Sequence, residues 1–584
     1  MYVWLGRLYA SVELGKVVGP FGRDTPMRLS LRCCSLALLA FAVLPLQATT
    51  LLVNARIHTM DPARPEATAL AWQDDGRLLA VGDTADLQQR YPDAAKVDAK
   101  GASVIPGLID AHGHMLGLGI THMQVDLVGT TSRAQIVDRL KVWAAKLPKD
   151  AWLIGRGWDQ NRWADKQFPT AADLDAAFPD RPVYLERIDG HAVWVNSAAM
   201  RLATKPLDGD WQPEGGRIMR VGTHASGVLV DGAVGLVANA IPPLTHEQTR
   251  EAYKAAFADA VSAGLTGVHD PGTSLEDFNV LQEMAAAGDI PLRLYEMADG
   301  NRAALDWLCT QGGHWADAGG RLQMRTVKLY MDGALGSRGA ALLADYSDDH
   351  GNRGILVTAP DAYKSAVAKA YRCHVQVATH AIGDRGNRMV LDTYQSILGD
   401  NAASDHRWRV EHAQIVALDD IPRFAQLHLV ASMQPTHATS DMPWVAQRLG
   451  AERLKGAYAW QRFIHEHVPL AFGSDFPVEH VNPMLGLYAA VTRQDLNGQP
   501  PGGWLPDQRV SRLQALAGFT RGAAYAAFME NEVGMLKAGM RADFVILNGD
   551  LMTVPPRQIA DLKPLSTWVD GKAVYRAENK NAAR

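Results

Sequence analysis

The sequence predicts an α/β protein whose main domain is a (β/α)8 TIM barrel. Short apolar runs with strand character alternate with helix-like stretches such as AYKSAVAKAY and IPRFAQL, and this alternation is typical of a parallel sheet. Several of the apolar runs end in a side chain that can bind a metal ion. In a (β/α)8 barrel the C-terminal ends of all eight strands meet at one site, so we expect these side chains to lie together.

Eight short stretches have strand character. They are residues 104–112, 266–269, 292–297, 326–331, 375–380, 409–412, 430–433 and 470–475. The segment between the first two, residues 116–243, is too long for a simple connection between a strand and its helix. We therefore expect an inserted subdomain there, within a barrel domain that spans residues 105–531.

The first predicted strand ends in two histidines, His112 and His114 in VIPGLIDAHGHM. Residues i and i+2 of a strand project to the same side, so both imidazoles can bind one ion. The spacing alone is weak evidence, because about 0.6 such pairs arise by chance at this histidine content. A second pair with the same spacing, His465 and His467 in RFIHEHVPLAF, lies in a polar stretch, where we expect a solvated helix end.

Four later runs carry one further candidate each: Lys328 in MRTVKLYMDGALGSRGA, His380 in VQVATHAIGD, His412 in RWRVEHAQ and Asp475 in VPLAFGSDFPV. Taken singly, each has an ordinary structural explanation. The histidines can be hydrogen-bonded barrel residues, the lysine can pair with Asp332, and the aspartate can cap a helix. Neutral imidazoles and carboxylates are good ligands of Zn²⁺ and related ions, so the ordered set favours a metal site.

Lys328 is the unusual member of this set, because an ammonium group repels a metal cation. Burial can lower the pKa of a lysine by several units from about 10.4. A neutral lysine can then add CO₂ and become a carbamate, which is an anionic ligand with two oxygens.

The order H-x-H, Lys, His, His, Asp resembles the amidohydrolase superfamily, and the surrounding sequence is similar to its family-3 branch, which includes formamide deformylase-like proteins. The similar stretches lie between about residues 51 and 575 and include DGHAVWVNSAAM, GGRIMR, KLYMDGALGSRGA, THAIGDRGN, VEHAQI, SMQPTHATSD, GSDFPVE, YAAVTRQD, ADFVIL and TWVDGKAVY. The resemblance implies that the two chain ends, residues 49–104 and 532–584, pair into a small β-sandwich domain beside the barrel.

The resemblance also implies two divalent metal ions, with zinc as the expected element, whose ligands are His112, His114, Lys328, His380, His412 and Asp475. The H-x-H pair and the aspartate would bind one ion, the two single histidines would bind the other, and carbamylated Lys328 would bridge them. A metal-bound hydroxide would be the nucleophile. Asp475 would take its proton and pass it to the leaving nitrogen, so Asp475 and Lys328 are the predicted catalytic residues.

Candidate substrate contacts lie in the insert and after the seventh strand. Asp189 and His191 in RIDGHAVWVNS are expected to reach the site, since in the family the insert contributes to the pocket. Trp158 in GRGWDQNRW can stack on an aromatic or apolar substrate group, or it can pack the core of the insert. His437 in QPTHATSD is expected to contact the substrate or an oxyanion.

Residues 1–48 have the features of a leader. From Met27 the chain reads MRLSLRCCSLALLAFAVLPLQATT, in which basic residues precede an apolar stretch and Leu46-Gln47-Ala48 resembles a signal-peptidase site. Met27 is therefore the predicted true start, and we expect Sec-type export to the periplasm or the medium; an uncleaved anchor is the alternative. Only Cys309 and Cys373 remain in the mature chain, which allows at most one disulfide.

The composition is that of an ordinary globular enzyme, with 47% hydrophobic and 21% charged residues. The net charge of −5 gives no general attraction to nucleic acid or anionic membranes. We expect a metal-dependent hydrolase of a C–N bond in an amide, formamide or related small molecule. We expect no nucleic-acid partner and no association with a membrane after the leader is removed. Both a monomer and a homodimer are compatible with the sequence. The alternatives are a deaminase or an ester or lactone hydrolase, and, outside enzymes, a catalytically silent binding or regulatory protein.

Overall fold

The computed structural model describes residues 48–300 and 302–578. Within these ranges the central element is a barrel-like parallel sheet with strands β1 (Leu108–Asp110), β2 (Leu265–Thr273), β3 (Arg293–Asp299), β4 (Leu322–Tyr330), β5 (Gln376–Ala381), β6 (Arg409–His412), β7 (Val430–Met433) and β8 (Leu470–Phe472). Each strand pairs with the next in chain order, and a short strand, Trp315–Ala316, adds antiparallel to β4. The two ends of the sheet meet where the Ala111 N–H donates to the Phe472 carbonyl at 3.0 Å. The predicted TIM barrel is confirmed.

The barrel strands are buried on both faces. Every residue of β5 and β7 is buried, as expected for parallel strands covered by helices outside and side chains inside. The helices that belong to the barrel in the described ranges are His246–Ser262, Leu275–Ala287, Arg302–Thr310, Pro360–Arg372, Asp384–Leu398, Ile421–Gln426, Pro435–Asp441, Val445–Arg453, Trp460–His465, Pro483–Thr492, Arg512–Ala517 and Ala523–Ala526.

The prediction of one strand over residues 104–112 is wrong, because the structure has two strands there, in two different sheets. Ser103–Pro106 belongs to a different sheet, where it pairs antiparallel with Phe544–Leu547, and β1 begins only at Leu108. The chain changes sheets at Gly107, where a Cβ atom would lie 2.1 Å from the Thr266 hydroxyl oxygen. A side chain there would prevent the barrel from closing against β2.

The chain ends form two further sheets that pack face to face. One contains Thr49–Val53, Ala69–Gln73, Leu78–Gly82 and Ala95–Asp98; the other contains Arg56–His58, Glu66–Ala67, Ser103–Pro106, Phe544–Leu547, Pro564–Val569 and Lys572–Arg576. Trp72 of the first sheet contacts Phe544 and Trp568 of the second, with ring centroids 5.6 and 5.8 Å away. The small β-sandwich built from both chain ends is therefore present, with the helix Thr84–Arg90 on its N-terminal part.

The insert between β1 and β2 has its own sheet, formed by Val125–Asp126, Leu153–Trp158, Val183–Arg187, Ala192–Val195, Gly216–Val221 and His224–Asp231. Its helices in the described residues are Met115–Thr121, Arg133–Ala144, Ala171–Asp175, Ser197–Met200 and Gly235–Ala238. Trp158 is fully buried in this subdomain, its ring lies about equally far from Trp163 and Trp194 (6.0 and 6.3 Å), and its indole N–H donates to the Leu185 carbonyl at 2.8 Å. The prediction that Trp158 contacts substrate is therefore wrong, because packing and this hydrogen bond use its whole side chain.

A disulfide joins Cys309, in the helix Arg302–Thr310, to Cys373, which follows the helix Pro360–Arg372. It links two outer helices that precede β4 and β5.

The leader predicted for residues 1–48 lies almost entirely outside the described residues. Of the helices in the described ranges, none combines the length and apolar character needed to cross a membrane.

Replacing both cysteines with serine is expected to lower the free energy of unfolding by up to about 4 kcal/mol, because loss of the bridge frees a loop in the unfolded chain. The two cysteines are 64 residues apart in sequence. Thermal unfolding with and without reductant checks this, and the serine variant serves as the control because reductant should not change its Tm. A wild-type Tm that is unaffected by complete reduction would contradict a stabilising bridge.

Candidate active site

The C-terminal ends of the barrel strands bring all six predicted ligands into one cluster. Lys328 lies in β4, His380 in β5 and His412 at the end of β6. Asp475 lies three residues after β8, whereas His112 and His114 follow β1. Five of the six side chains are buried, and only His114 is partly exposed.

The H-x-H pair converges by a route that differs from the predicted one. His112 lies beyond the end of β1, and His114 is the N-cap residue of the helix Met115–Thr121, so strand alternation does not align them. Both instead face Asp475 Oδ1, which lies 3.6 Å from His112 Nε2 and 3.1 Å from His114 Nε2. The two segments approach closely because residue 473 is a glycine, whose missing Cβ would lie 2.5 Å from the His112 nitrogen.

The spacing of these atoms fits a metal ion. Two ligand atoms at usual bond lengths from a tetrahedral Zn²⁺ lie about 3.3 Å from each other. The two distances to Asp475 Oδ1 bracket this value. Lys328 Nζ lies 3.3 Å from His112 Nε2, so the lysine lies beside this group. His112, His114 and Asp475 form a group in which each residue has one possible ligand atom within 4.8 Å of those of the other two.

A second group with the same property consists of His412, His437 and Asp475. His380 lies beside it, with its ring centroid 4.5 Å from that of His412, but it is in neither group. Within the part of the chain that the structure describes, buried His380 Nε2 has no hydrogen-bond partner. An unpartnered buried nitrogen is costly unless a ligand satisfies it, so His380 also fits a metal centre.

The protonation states suit cation binding. Burial, together with the nearby Lys328 ammonium, lowers the pKa of His112 to about 4 despite the opposing effect of Glu411. Burial likewise lowers the pKa values of His380 and His412 well below the usual value for histidine. These imidazoles are therefore neutral, which is the form that binds metals.

The two remaining groups of the centre are also altered by burial. Burial lowers the pKa of Lys328 to about 8, although Glu411 and Asp475 oppose the change, so roughly a tenth of the lysine is neutral at pH 7, far more than for a free lysine. Burial opposes ionisation of Asp475, but hydrogen bonds from His114 and His437 hold the pKa of its carboxyl well below the usual range. Asp475 is therefore an anion.

Sequence reasoning missed Glu411, which orients the first ligand. Its carboxylate accepts a hydrogen bond from His112 Nδ1 at 2.5 Å and pairs with the Arg409 guanidinium at 2.6 Å. Strand alternation would place Glu411 on the opposite side from His412. The left-handed backbone of His412, with φ of 71°, breaks this alternation, so the strand pattern of the sequence does not reveal the role of Glu411.

Two further imidazoles of the site, those of His412 and His191, are held by an oxygen that faces Nδ1. Nδ1 of His412 faces Gln434 Oε1 at 2.9 Å, and Nδ1 of His191 faces Asp231 Oδ1 at 2.6 Å. Each of these oxygens accepts, so Nδ1 carries the hydrogen and Nε2 faces the site, as is usual for metal-binding histidines.

The alternative pairing of Lys328 with Asp332 is absent among the described contacts. Asp332 instead accepts hydrogen bonds from the backbone N–H groups of Ile382, Gly383 and Ala341.

The predicted substrate contacts of the insert reach the cavity. Asp189 and His191 line both a larger cavity of about 930 Å³ and a smaller one of about 480 Å³, which share His380, His412 and Asp475. Asp189 is ion-paired with Arg187. Burial would lower the pKa of His191, but the hydrogen bond to Asp231 raises it to about 9.

His437, predicted to contact the substrate, directly contacts Asp475 of the ligand cluster. Its Nε2 is 3.3 Å from Asp475 Oδ2, and its Nδ1 is 3.1 Å from Glu479 Oε1. Burial would lower its pKa, but the two carboxylates raise it to about 10. A metal ion that binds this imidazole has to displace that proton.

The second H-x-H pair lies away from this cluster. His465 ends the helix Trp460–His465, and both His465 and His467 are exposed. The predicted solvated helix end is confirmed.

A parallel barrel with a cluster of histidine and carboxylate side chains at its C-terminal mouth has the architecture of a metal-dependent enzyme. The sequence model of the amidohydrolase family matches residues 95–575, and the chain belongs to this family. It is 33% identical over 522 residues to the putative amidohydrolase YtcJ of Bacillus subtilis (strain 168), covering 87% of this chain and 96% of that protein. It is 26% identical over 548 residues to the N-substituted formamide deformylase of Arthrobacter pascens, covering 90% and 98%.

Solved structures agree with these sequence relationships. An uncharacterised metal-dependent hydrolase from Pyrococcus horikoshii OT3 superimposes with a TM-score of 0.72 at 27% identity, covering 87% of this chain and 99% of that one. The protein is therefore a metal-binding hydrolase of the amidohydrolase family.

Proposed function

We propose that the protein hydrolyses a C–N bond in an amide, formamide or related small molecule, using two divalent ions held by His112, His114, Lys328, His380, His412 and Asp475. The observation that carries this proposal is the convergence of these six side chains at the barrel mouth, inside cavities large enough for a small organic substrate. The similarity to an N-substituted formamide deformylase over 90% of the chain supports the choice of bond.

The metal ions, when bound, supply Lewis-acid activation of water and of the substrate carbonyl. Asp475 is ionised and can accept a proton from the attacking water and return it to the leaving nitrogen. Glu411 holds the His112 ring in place through Nδ1. His191 lines the cavity and its Nδ1 is held by Asp231, which leaves Nε2 free of this hydrogen bond to contact the substrate carbonyl or its developing charge.

Lys328 is proposed to carry a carbamate that bridges the two ions. Its burial beside the ligand cluster and its pKa of about 8, which leaves part of the amine neutral and able to add CO₂, support this modification. A bridging carboxylate-type ligand suits a two-metal hydrolase better than a one-metal deaminase, which ranks the deaminase second. Zinc is the proposed element because the ligand set is rich in imidazole.

A substrate panel tests the reaction. The metal-loaded enzyme should show its highest kcat/KM on N-formyl or N-acyl compounds, compared with esters, lactones and amino-substituted heterocycles of similar size. Turnover confined to the heterocycles or to the esters and lactones would contradict the proposed bond, and absence of turnover with a full metal complement would favour a binding protein.

Lys328→Ala is expected to lose most activity and part of the metal while keeping the fold, because the variant lacks the proposed bridging ligand. Acetate or formate should restore part of the turnover by occupying the vacated space. The measurements are turnover and metal content with and without the acid, compared with the wild type under the same conditions. Wild-type turnover in Lys328→Ala would show that the lysine is structural.

Export is part of the same proposal. The leader-like sequence from Met27 supports it, as does the disulfide, because such bonds persist mainly in oxidising compartments. Cell fractionation with N-terminal sequencing tests it. The expected mature N-terminus is Thr49, which is also the first residue of the first strand, and a cytosolic protein that retains residues 27–48 would contradict export.

A further inference from the structure

We propose that Asp441 selects substrates whose leaving amine carries a second, positively charged group such as an ammonium, and this inference rests on the C–N hydrolysis proposed above. Asp441 is the last residue of the helix Pro435–Asp441 and lines the larger cavity. It lies one helical turn after His437, which contacts Asp475. Side chains at this spacing have Cβ atoms roughly 5–6 Å apart, so the Asp441 carboxylate is near the reacting centre.

Charge pairing separates Asp441 from the other carboxylates near the reacting centre. Each of the others pairs with an arginine or a histidine; they are Asp159, Asp189, Asp475 and Glu479. Among the described residues, the Asp441 side chain accepts hydrogen bonds from two neutral groups and forms no ion pair. The cavity wall therefore holds a carboxylate whose cationic partner is not part of the described chain.

The two neutral donors hold Asp441 in place through one of its oxygens. Gln414 Nε2 donates to Oδ2 at 2.8 Å, and the Tyr458 hydroxyl donates to the same oxygen at 2.5 Å. Both donors are buried, whereas Asp441 is partly exposed. Oδ1 accepts no hydrogen bond from the described residues, so the carboxylate is fixed in position and keeps one oxygen for a ligand.

The surroundings of Asp441 favour a cationic ligand over a neutral one. Burial raises the pKa of Asp441 to about 7, although His437 and Tyr458 oppose the change. The positive charge of His437 is already balanced by Asp475 and Glu479. A partly desolvated carboxylate without a cation is costly. A substrate ammonium would remove this cost, whereas an apolar group of the same size would leave it.

The geometry of Asp475 places the cationic group on the leaving amine. Asp475 is proposed to return a proton to the leaving nitrogen, and its Oδ1 faces His114 whereas its Oδ2 faces His437. A nitrogen that receives its proton from Oδ2 directs its substituent towards the side on which Asp441 lies. The rival role of Asp441 is structural, as an acceptor that holds Gln414 and Tyr458 without touching the substrate.

Substrates that differ only in charge separate the two roles. The full-length, metal-loaded enzyme is assayed on mono-N-formyl diaminoalkanes with about two to six methylene groups, which span the expected distance. The matched compounds are N-formyl alkylamines in which a methyl group replaces the ammonium. Both kcat and KM are measured for the wild type, Asp441→Asn and Asp126→Asn. Asp126 is an exposed carboxylate that lines the same cavity, so its variant removes an equal charge elsewhere and is the control.

The wild type should prefer the ammonium compounds by about 10- to 100-fold in kcat/KM at the best chain length, as expected for a hydrogen bond between charged groups. Asp441→Asn should lose this preference, mainly through a higher KM, and should keep wild-type kcat/KM on the neutral compounds. Asp126→Asn should retain the preference. An equal loss on both series in Asp441→Asn would show a structural role and overturn the inference.

Two further outcomes separate this inference from the function on which it rests. A wild type that hydrolyses both series equally well, or an Asp441→Asn variant that keeps the preference, would overturn the role of Asp441 and leave the proposed function intact. Absence of turnover on every formamide would overturn the proposed function itself. If Asp441→Asn does not fold, inhibition of the wild type decides: n-butylammonium should compete with the substrate and 1-butanol should not, and equal inhibition by both would overturn the inference.

Discussion

Replacing His112 and His114 together with alanine is expected to abolish turnover and remove the metal ion nearest Asp475 Oδ1. Both imidazole nitrogens lie within 3.6 Å of that oxygen, and a site that loses two of its ligands retains little affinity for a divalent ion. The fold should survive, because Glu411, the partner of His112, keeps its ion pair with Arg409. Metal content, turnover and far-UV circular dichroism are the measurements.

The second H-x-H pair provides the control for this experiment. His465→Ala with His467→Ala removes the same two side chains at the same spacing, but from an exposed helix end. Surface changes of this kind usually alter stability by less than about 0.5 kcal/mol, so metal content and turnover should equal those of the wild type. Loss of metal from this control without unfolding would show that the wrong pair has been assigned.

Asp475→Asn is expected to reduce kcat by about 10²- to 10⁴-fold, the usual contribution of a general acid–base group, with a smaller effect on KM. The amide keeps the size of the side chain and can still contact His114 and His437, but it cannot take up and return a proton. Steady-state kinetics at saturating metal separates this loss from weaker metal binding. A variant with unchanged kcat and weaker substrate binding would contradict the proton-transfer role.

Much of the barrel can be predicted from sequence, because apolar runs and helix-like stretches are local patterns. β6 and β7 begin and end where expected, whereas β2 continues to Thr273, beyond the predicted 266–269. The predicted first strand fails at Gly107, because the change of sheet there depends on Thr266 and Phe544, which are distant in sequence. Asp475 likewise lies beyond β8, in a left-handed conformation with φ of 60°.

The ligands of the site are visible in the sequence as residue types after apolar runs, but the groups that orient them are not. Glu411, Gln434 and Glu479 each hold one imidazole. They lie near other site residues in sequence, yet nothing in a single sequence distinguishes them from ordinary polar residues. Trp158 shows the reverse error, because its aromatic ring suits a pocket as well as a core, and only the packing against Trp163 and Trp194 decides.

Metal content measured together with turnover tests the central claim most directly. The protein is stripped with a chelator and reconstituted with increasing zinc in the presence of bicarbonate, and bound metal is determined by elemental analysis at each step. The proposal predicts loss of turnover on stripping, and recovery that follows metal uptake to two ions per chain. Full turnover in the metal-free protein would contradict a metal-dependent mechanism, and maximal turnover with uptake that never exceeds one ion would contradict the two-metal centre.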